Sequence, residues 1–360
     1  LSISGVLCSD KFEIIEKFTF LSRPRKSRPL EIDAMLINGL DLDELAKQDT
    51  YGVMLQKLVD KFTEGKNKGA IFVGYNNHNY DSQLINTSLF VNLRWPYLTS
   101  GGNGQFDLLP AVRAASVFAP NSIAYELNDK GLPIFKLESV CKANNIDTGT
   151  SHNSMSDTLS TLYLGSLLSN KAPEVFKSSL LLRNKVAVKP HLDNNPIVCW
   201  MEAWRVAKIY CGTSLGEGVF PGWFLMYDLR KNPEELLSIL KDTETLGKAL
   251  EGSPKFIRVC KSSRSPLLMS KEYALKDDIY KELGMKELEN RQKIINKNKE
   301  EILNHIKLIQ QSKLDEKNDH DQRELEPEQM IYKLNVGMEE RKVMDAFNLA
   351  DSTQEKKKLF

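Results

Sequence analysis

The sequence predicts a mixed α/β protein in three parts: a sheet domain over residues 1–189, a small β-rich domain with a helical extension over 190–315, and a linker leading into a further helical unit over 316–360. Three observations carry this. Strand-like and helix-like runs alternate through the first half, the pattern of a sheet with helices packed on it. After Pro190 the strand-like runs come close together, with one helix among them. Residues 286–315 are rich in Lys, Glu, Asn and Gln, with Ile294, Ile295, Ile302, Ile306 and Leu308 spaced for a helix.

Taken in order, Ile3 to Leu7 and Phe12 to Phe20 are rich in β-branched and aromatic residues around a turn near Ser9-Asp10-Lys11, which predicts a hairpin. Residues 41–64 read as one helix, with Leu55, Leu58, Val59 and Phe62 at three- and four-residue spacing. Ala70 to Val73 is a short apolar run suited to a buried strand. Helices are expected from about Tyr80 to Val91 and over Phe106–Phe118, Phe135–Asn144, Ser151–Leu168 and Pro173–Leu182. In the β-rich part, Ile197–Met201, Trp223–Tyr227 and Lys255–Cys260 read as strands and Pro233–Leu240 as a helix. Asp315–Glu326 is charged and expected as a loop, and Tyr332–Phe360 as helical. Gly101-Gly102-x-Gly104 has no strand before and helix after it, so it reads as a flexible connection and not a nucleotide fingerprint.

Composition narrows the class. At 360 residues there is room for two or three domains. A net charge of +1 does not select nucleic acid as partner, but it permits a basic groove on a mixed surface. The basic run Ser22 to Arg28 fits a solvated turn. The 5 cysteines are scattered without a CxxC pair, the pattern of reduced thiols in a cytoplasmic protein. No apolar run is long enough to span a bilayer, so no membrane partner is expected.

Asp81 precedes Leu84, Ile85, Ser88 and Leu89, which places its carboxylate on the expected buried stripe of its helix. Asp157 sits in a helix among Met155, Leu159 and Leu162, with small residues one turn on, and His152 stands at that helix's start. Each alone has a plain explanation: a helix-start aspartate, an exposed helix aspartate, an exposed histidine. Together they have the chemistry of a phosphodiester hydrolase. Carboxylates hold divalent cations that stabilise the attacking and leaving oxygens, and a histidine takes the proton of the attacking water.

The runs Gly74-Tyr75-Asn76-Asn77-x-x-Tyr80-Asp81, Phe106-Asp107-Leu108-Leu109 with Arg113, Gly131-Leu132-Pro133-x-Phe135-Lys136-Leu137-Glu138, Lys142-Ala143-Asn144 and His152-x-x-Met155-x-Asp157 resemble bacterial exodeoxyribonuclease I, of the DEDDh exonuclease group. The likeness is strongest from about Ala70 to Lys185 and fainter beyond. It implies a ribonuclease-H-like exonuclease domain, an SH3-like β-rich domain and the start of a carboxy-terminal helical domain. It implies a cytoplasmic monomer that degrades single-stranded DNA from the 3′ end to 5′-mononucleotides in DNA repair and recombination. The cofactor would be Mg²⁺, with Mn²⁺ as substitute, and the protein partner the single-stranded-DNA-binding protein.

Position by position, the resemblance makes Asp81 and Asp157 metal ligands and His152 the general base. Lys136 stands where the family has a substrate-binding arginine, keeping charge and losing the two-pronged phosphate contact. Phe135 and Tyr97 match rings along the DNA path, where bases stack without being read; core packing is their plain alternative. Arg113 and Lys185 match basic positions on that path, with solvated surface charge as the alternative. Asn153 replaces an acidic residue. The family's Asp-x-Glu motif belongs to a strand ahead of Leu1, so the chain as written is expected to bind metal poorly and to cleave weakly or not at all. Two other readings stay open: a non-catalytic single-strand-binding module, and an exoribonuclease on short RNA.

Overall fold

In the computed structural model, which describes residues 2–24, 32–37, 39, 41–66, 69–99, 102–147, 149, 153–203, 206–320, 326–334, 336–350 and 352–359, the amino end forms the expected hairpin. Strand β1 (Ser2–Cys8) pairs antiparallel with β2 (Ile14–Leu21), from Ser2 opposite Leu21 to Leu7 opposite Glu16. Helix α1 spans Ile32–Ile37. The single helix expected over 41–64 is broken into α2 (Leu42–Ala46) and α3 (Tyr51–Lys66). Asp41 caps α2 by accepting from the amides of Asp43 and Glu44. The interrupting residues bind the hairpin instead: the Asp49 carbonyl accepts from the Arg23 amide at 2.8 Å.

Strand β3 (Ile71–Gly74), helix α4 (Asp81–Val91) and strand β4 (Gly104–Asp107) follow, with β3 and β4 parallel and Gly74 opposite Asp107. This corrects two expectations. Phe106 and Asp107 belong to a strand, and helix α5 (Leu108–Phe118) starts after them. Gly104 is part of the strand pair, its amide donating to the Ala70 carbonyl at 3.0 Å. Nor is β3 buried on both faces: Ile71 is 37% and Val73 51% exposed. Phe72, facing the other way, packs on Phe62 of α3 with ring centroids 4.7 Å apart. Met54, Leu55 and Leu58 of α3, with Leu89 of α4 and Leu98, form the buried centre here, and Ile3 and Phe20 of the hairpin pack on it.

Helices α6 (Leu137–Ala143), α7 (Ser154–Lys171), α8 (Pro173–Leu181) and α9 (Val188–Asn194) come next. The β-rich part is a five-stranded antiparallel sheet in the order β8-β7-β6-β5-β9, built from β5 (Val198–Ala203), β6 (Ala207–Glu217), β7 (Trp223–Asp228), β8 (Ile257–Lys261) and β9 (Met269–Ser270). Its longest strand, β6, is missing from the sequence reading because Gly212 and Gly216 interrupt the β-branched pattern. Gly212 is required there. A Cβ would stand 2.2 Å from the Tyr227 carbonyl oxygen and 2.8 Å from the Trp200 ring. Leu182, Val188 and Leu192 pack with Val198, Trp200, Phe224, Met226 and Leu268 in this sheet's core.

Helices α10 (Pro233–Ile239) and α11 (Thr243–Glu251) lie between β7 and β8. After β9 come α12 (Asp278–Lys297), α13 (Lys299–His320), α14 (Met338–Leu349) and α15 (Thr353–Lys357). The charged stretch expected as a loop from Asp315 is helical as far as His320. Ile295, Ile302, Ile306 and Ile309 are buried, whereas Leu308 is exposed. Among the described residues no helix is long and apolar enough to cross a membrane.

By contacts the chain divides into two compact units: Leu1–Leu108 with Lys136–Ser166 and Arg323–Phe360, and Leu109–Phe135 with Leu167–Gln322. The second unit thus takes in chain on both sides of residue 190.

Candidate active site

The loop from β3 to α4 is shaped by its own sequence. Gly74 leaves β3 where a Cβ would stand 2.6 Å from the Asn77 Cβ, so only glycine permits the turn. Asn76 is left-handed at φ 61°, a conformation asparagine tolerates. Asn79 donates through Nδ2 to Asn76 Oδ1 at 2.9 Å, and Asn77 donates through Nδ2 to the Phe106 carbonyl at 3.3 Å. Asp107, at the end of β4, is buried. Its Oδ1 accepts the Asn76 amide at 2.8 Å and its Oδ2 the His78 amide at 3.4 Å. The loop ends at Tyr80, the N-cap of α4, which makes no side-chain capping bond, and Asp81 opens the helix.

Asp81 is not on the buried stripe that its spacing predicts. Ser88 and Leu89 are buried, but Asp81 and Leu84 at the helix start are exposed. Surrounding protein still crowds the carboxyl group. That desolvation pushes its pKa up, its own backbone amide pulls it down, and the Asp107 charge pushes it up further. This is the setting of a carboxylate that gains from a nearby cation.

Asp157 lies in the first turn of α7 and is exposed, its amide donating to the Asn153 carbonyl at 3.0 Å. The hairpin is fastened to this turn: the hydroxyls of Ser2 and Ser4 lie 2.8 and 2.7 Å from the Ser154 hydroxyl, and Thr158 Oγ1 donates to the Ser4 carbonyl at 3.4 Å. Cys141 of α6 sits behind it, its thiol donating to the Ser160 carbonyl at 3.8 Å. Burial pushes that thiol up to about 11, and the Asp157 charge adds to the effect. His152 lies outside the described residues.

The other predicted residues fall into place separately. In the first unit, Tyr97 is half-buried edge-on to Trp95, ring centroids 5.2 Å apart, and Lys136 is exposed at the N-cap of α6. In the second unit, Arg113 lies over the Phe135 ring at 5.7 Å, and Phe135 meets Tyr125 edge-on at 5.4 Å. Lys185 is exposed in a short turn capped by Asn184. Arg113 and Phe135 are thus brought together. Carboxylate oxygens are the donors a hard divalent cation takes, and Asp81 and Asp157 supply them. Among the described residues no group of three or more His, Cys, Asp and Glu side chains gathers at metal-binding distance. Asp107 is the residue that sequence reasoning missed. It was visible only as part of a motif, and its role depends on the parallel register that sets it opposite Gly74.

No family model matches the chain. Exodeoxyribonuclease I of Escherichia coli K12 is 29% identical over 194 residues, which is 53% of this chain and 40% of that protein. The chain therefore spans less than half the length of this curated relative. A crystal structure of E. coli exonuclease I in complex with a dA16 oligonucleotide covers 99% of this chain, and the chain covers 81% of it, at TM-score 0.74 and 22% identity. A crystal structure of SSB/exonuclease I in complex with the inhibitor CFAM covers 99%, with 80% of that chain matched, at TM-score 0.75 and 21% identity. At such identity the structures speak for the fold, an α/β nuclease fold, while the sequence match carries the kinship. The chain is thus similar in sequence to exodeoxyribonuclease I over about half its length and similar in fold to exonuclease I.

Proposed function

We propose that this chain carries the site of a 3′-to-5′ exonuclease that hydrolyses single-stranded DNA to 5′-mononucleotides. The observation that carries the reading is Asp81, a desolvated carboxylate at a helix start held by a tied loop. A relative named exodeoxyribonuclease I is 29% identical over 194 residues. Asp81 and Asp157 would hold Mg²⁺ or Mn²⁺, which supplies charge stabilisation at the scissile phosphate. His152 would take a proton from the attacking water. Arg113 would meet backbone phosphate, and Phe135 and Tyr97 would stack on bases. Lys136 and Lys185 would add point charges along the strand. The five-stranded sheet supports the SH3-like reading of the second part. Exonuclease I structures with a dA16 oligonucleotide and with SSB support single-stranded DNA and its binding protein as partners.

A second reading is binding without cleavage, which fits the finding that no group of three or more His, Cys, Asp and Glu side chains gathers at metal-binding distance among the described residues. The test is a 5′-labelled single strand, a duplex and a matched RNA, each with and without Mg²⁺ or Mn²⁺. The expected result is metal-dependent shortening of the single DNA strand from its 3′ end, abolished in Asp157→Ala. Salt-sensitive binding with no shortening selects the second reading, and preferred shortening of the RNA would make the substrate RNA.

A further inference from the structure

We propose that Asp107 is a positioning residue for Asp81: it staples the loop that aims the Asp81 carboxylate at a divalent cation. The proposal rests on the reading of Asp81 as a metal ligand. Asp107 is buried at the end of β4, and its two oxygens receive the amides of Asn76 and His78. Those amides lie five and three residues ahead of Asp81. A carboxylate accepting backbone amides makes charge-assisted bonds, stronger than the neutral bonds that usually close a loop. The loop needs them. Asn76 is left-handed, Gly74 leaves no room for a side chain, and Tyr80 offers no side-chain cap to the helix that follows. Besides the staple, the chain between Gly74 and Asp81 is held by the Asn77 and Asn79 side-chain bonds, the Gln83 bond to the His78 carbonyl and local amide turns.

The arrangement also explains why an acid is used where the acid nearby is costly. An asparagine at 107 could accept the Asn76 amide through Oδ1, but its NH₂ would face the His78 amide, donor against donor. Only an ionised carboxylate accepts both. Groups that orient metal ligands typically change metal affinity by about 10- to 100-fold when removed.

The experiment compares the full chain with Asp107→Asn, Asp107→Ala, Asp81→Asn and Asp81→Asn/Asp107→Asn. Loop protection is read by hydrogen–deuterium exchange over residues 74–81, and Mn²⁺ affinity by paramagnetic broadening of amide signals in the first turn of α4. The expected result is faster exchange and about tenfold weaker Mn²⁺ binding in Asp107→Ala, with Asp107→Asn intermediate because it keeps the Asn76 bond. The double substitution should bind no more weakly than Asp81→Asn alone. Should Asp107→Ala fail to fold, Asp107→Asn and the double variant still decide. Equal losses in Asn and Ala would assign the effect to charge and overturn the staple. So would faster exchange with unchanged Mn²⁺ affinity. Wild-type Mn²⁺ affinity in Asp81→Asn, or no broadening in the parent chain, overturns the metal reading and the proposal with it. Failure of the staple alone leaves Asp81→Asn weakened and Asp107→Asn unchanged.

Discussion

At the scale of single residues, Asp81 works against the fold that holds it. Its carboxyl is desolvated and faces the Asp107 charge, so folding raises its pKa. The folded state then binds more protons than the unfolded chain above the ordinary aspartate value of about 3.9. This group favours folding below that value, and the contribution is lost as pH rises through the folded pKa. Asp81→Asn cannot ionise, so it is expected to melt above the parent at neutral pH, with the difference closing as pH falls towards the ordinary value. Because the residue is open to solvent, the gain stays below about 1 kcal/mol. Equal melting temperatures at neutral pH would remove the electrostatic account of Asp81. Spacing had placed this residue on a buried stripe. Periodicity shows which residues share a helix face, and only packing shows how far along the helix that face is covered.

Elements show the same division. The hairpin was legible because β-branched and aromatic residues crowd both arms, and α7 and α8 because apolar positions recur at helical spacing. Strand β6 was not, since Gly212 reads as a breaker until Tyr227 and Trp200 are seen against it. Gly212→Ala is expected to cost about 1–3 kcal/mol through overpacking, read as a lower urea midpoint at unchanged slope; an unchanged midpoint would mean that the two strands separate easily. The end of β7 carries a second element-level constraint. Asp228 is fully buried, accepts from the Tyr280 hydroxyl at 2.6 Å, and pairs with Arg230 at 3.2 Å and Arg258 at 3.4 Å. Asp228→Ala leaves Arg230 without its carboxylate, an expected loss of about 3–5 kcal/mol. A midpoint within error of the parent would show that water or Glu202 compensates.

For the whole molecule, chain order and compactness do not coincide. The second unit is assembled from Leu109–Phe135 and Leu167–Gln322, and its core joins Leu182, Val188 and Leu192 to the sheet that follows them. A fragment ending at Lys189 is therefore expected to expose Leu182 and Val188, bind a hydrophobic dye and aggregate. A soluble, dye-silent fragment with cooperative melting would show that these residues find another cover.

By itself the sequence determined the mixed α/β class, most helices, and the flanking motifs that tie the chain to exonuclease I, because propensity, periodicity and motif order are local properties. It also named Asp81 and Asp157. Only the tertiary structure decided that β4 begins at Gly104, that β3 leaves one face open, that Arg113 rests on Phe135, and that Asp107 closes the loop before Asp81. Each of these depends on which distant backbone supplies the hydrogen-bond partner or the covering side chain, and residues 76 and 107 are brought within 2.8 Å by a strand register that no local pattern encodes.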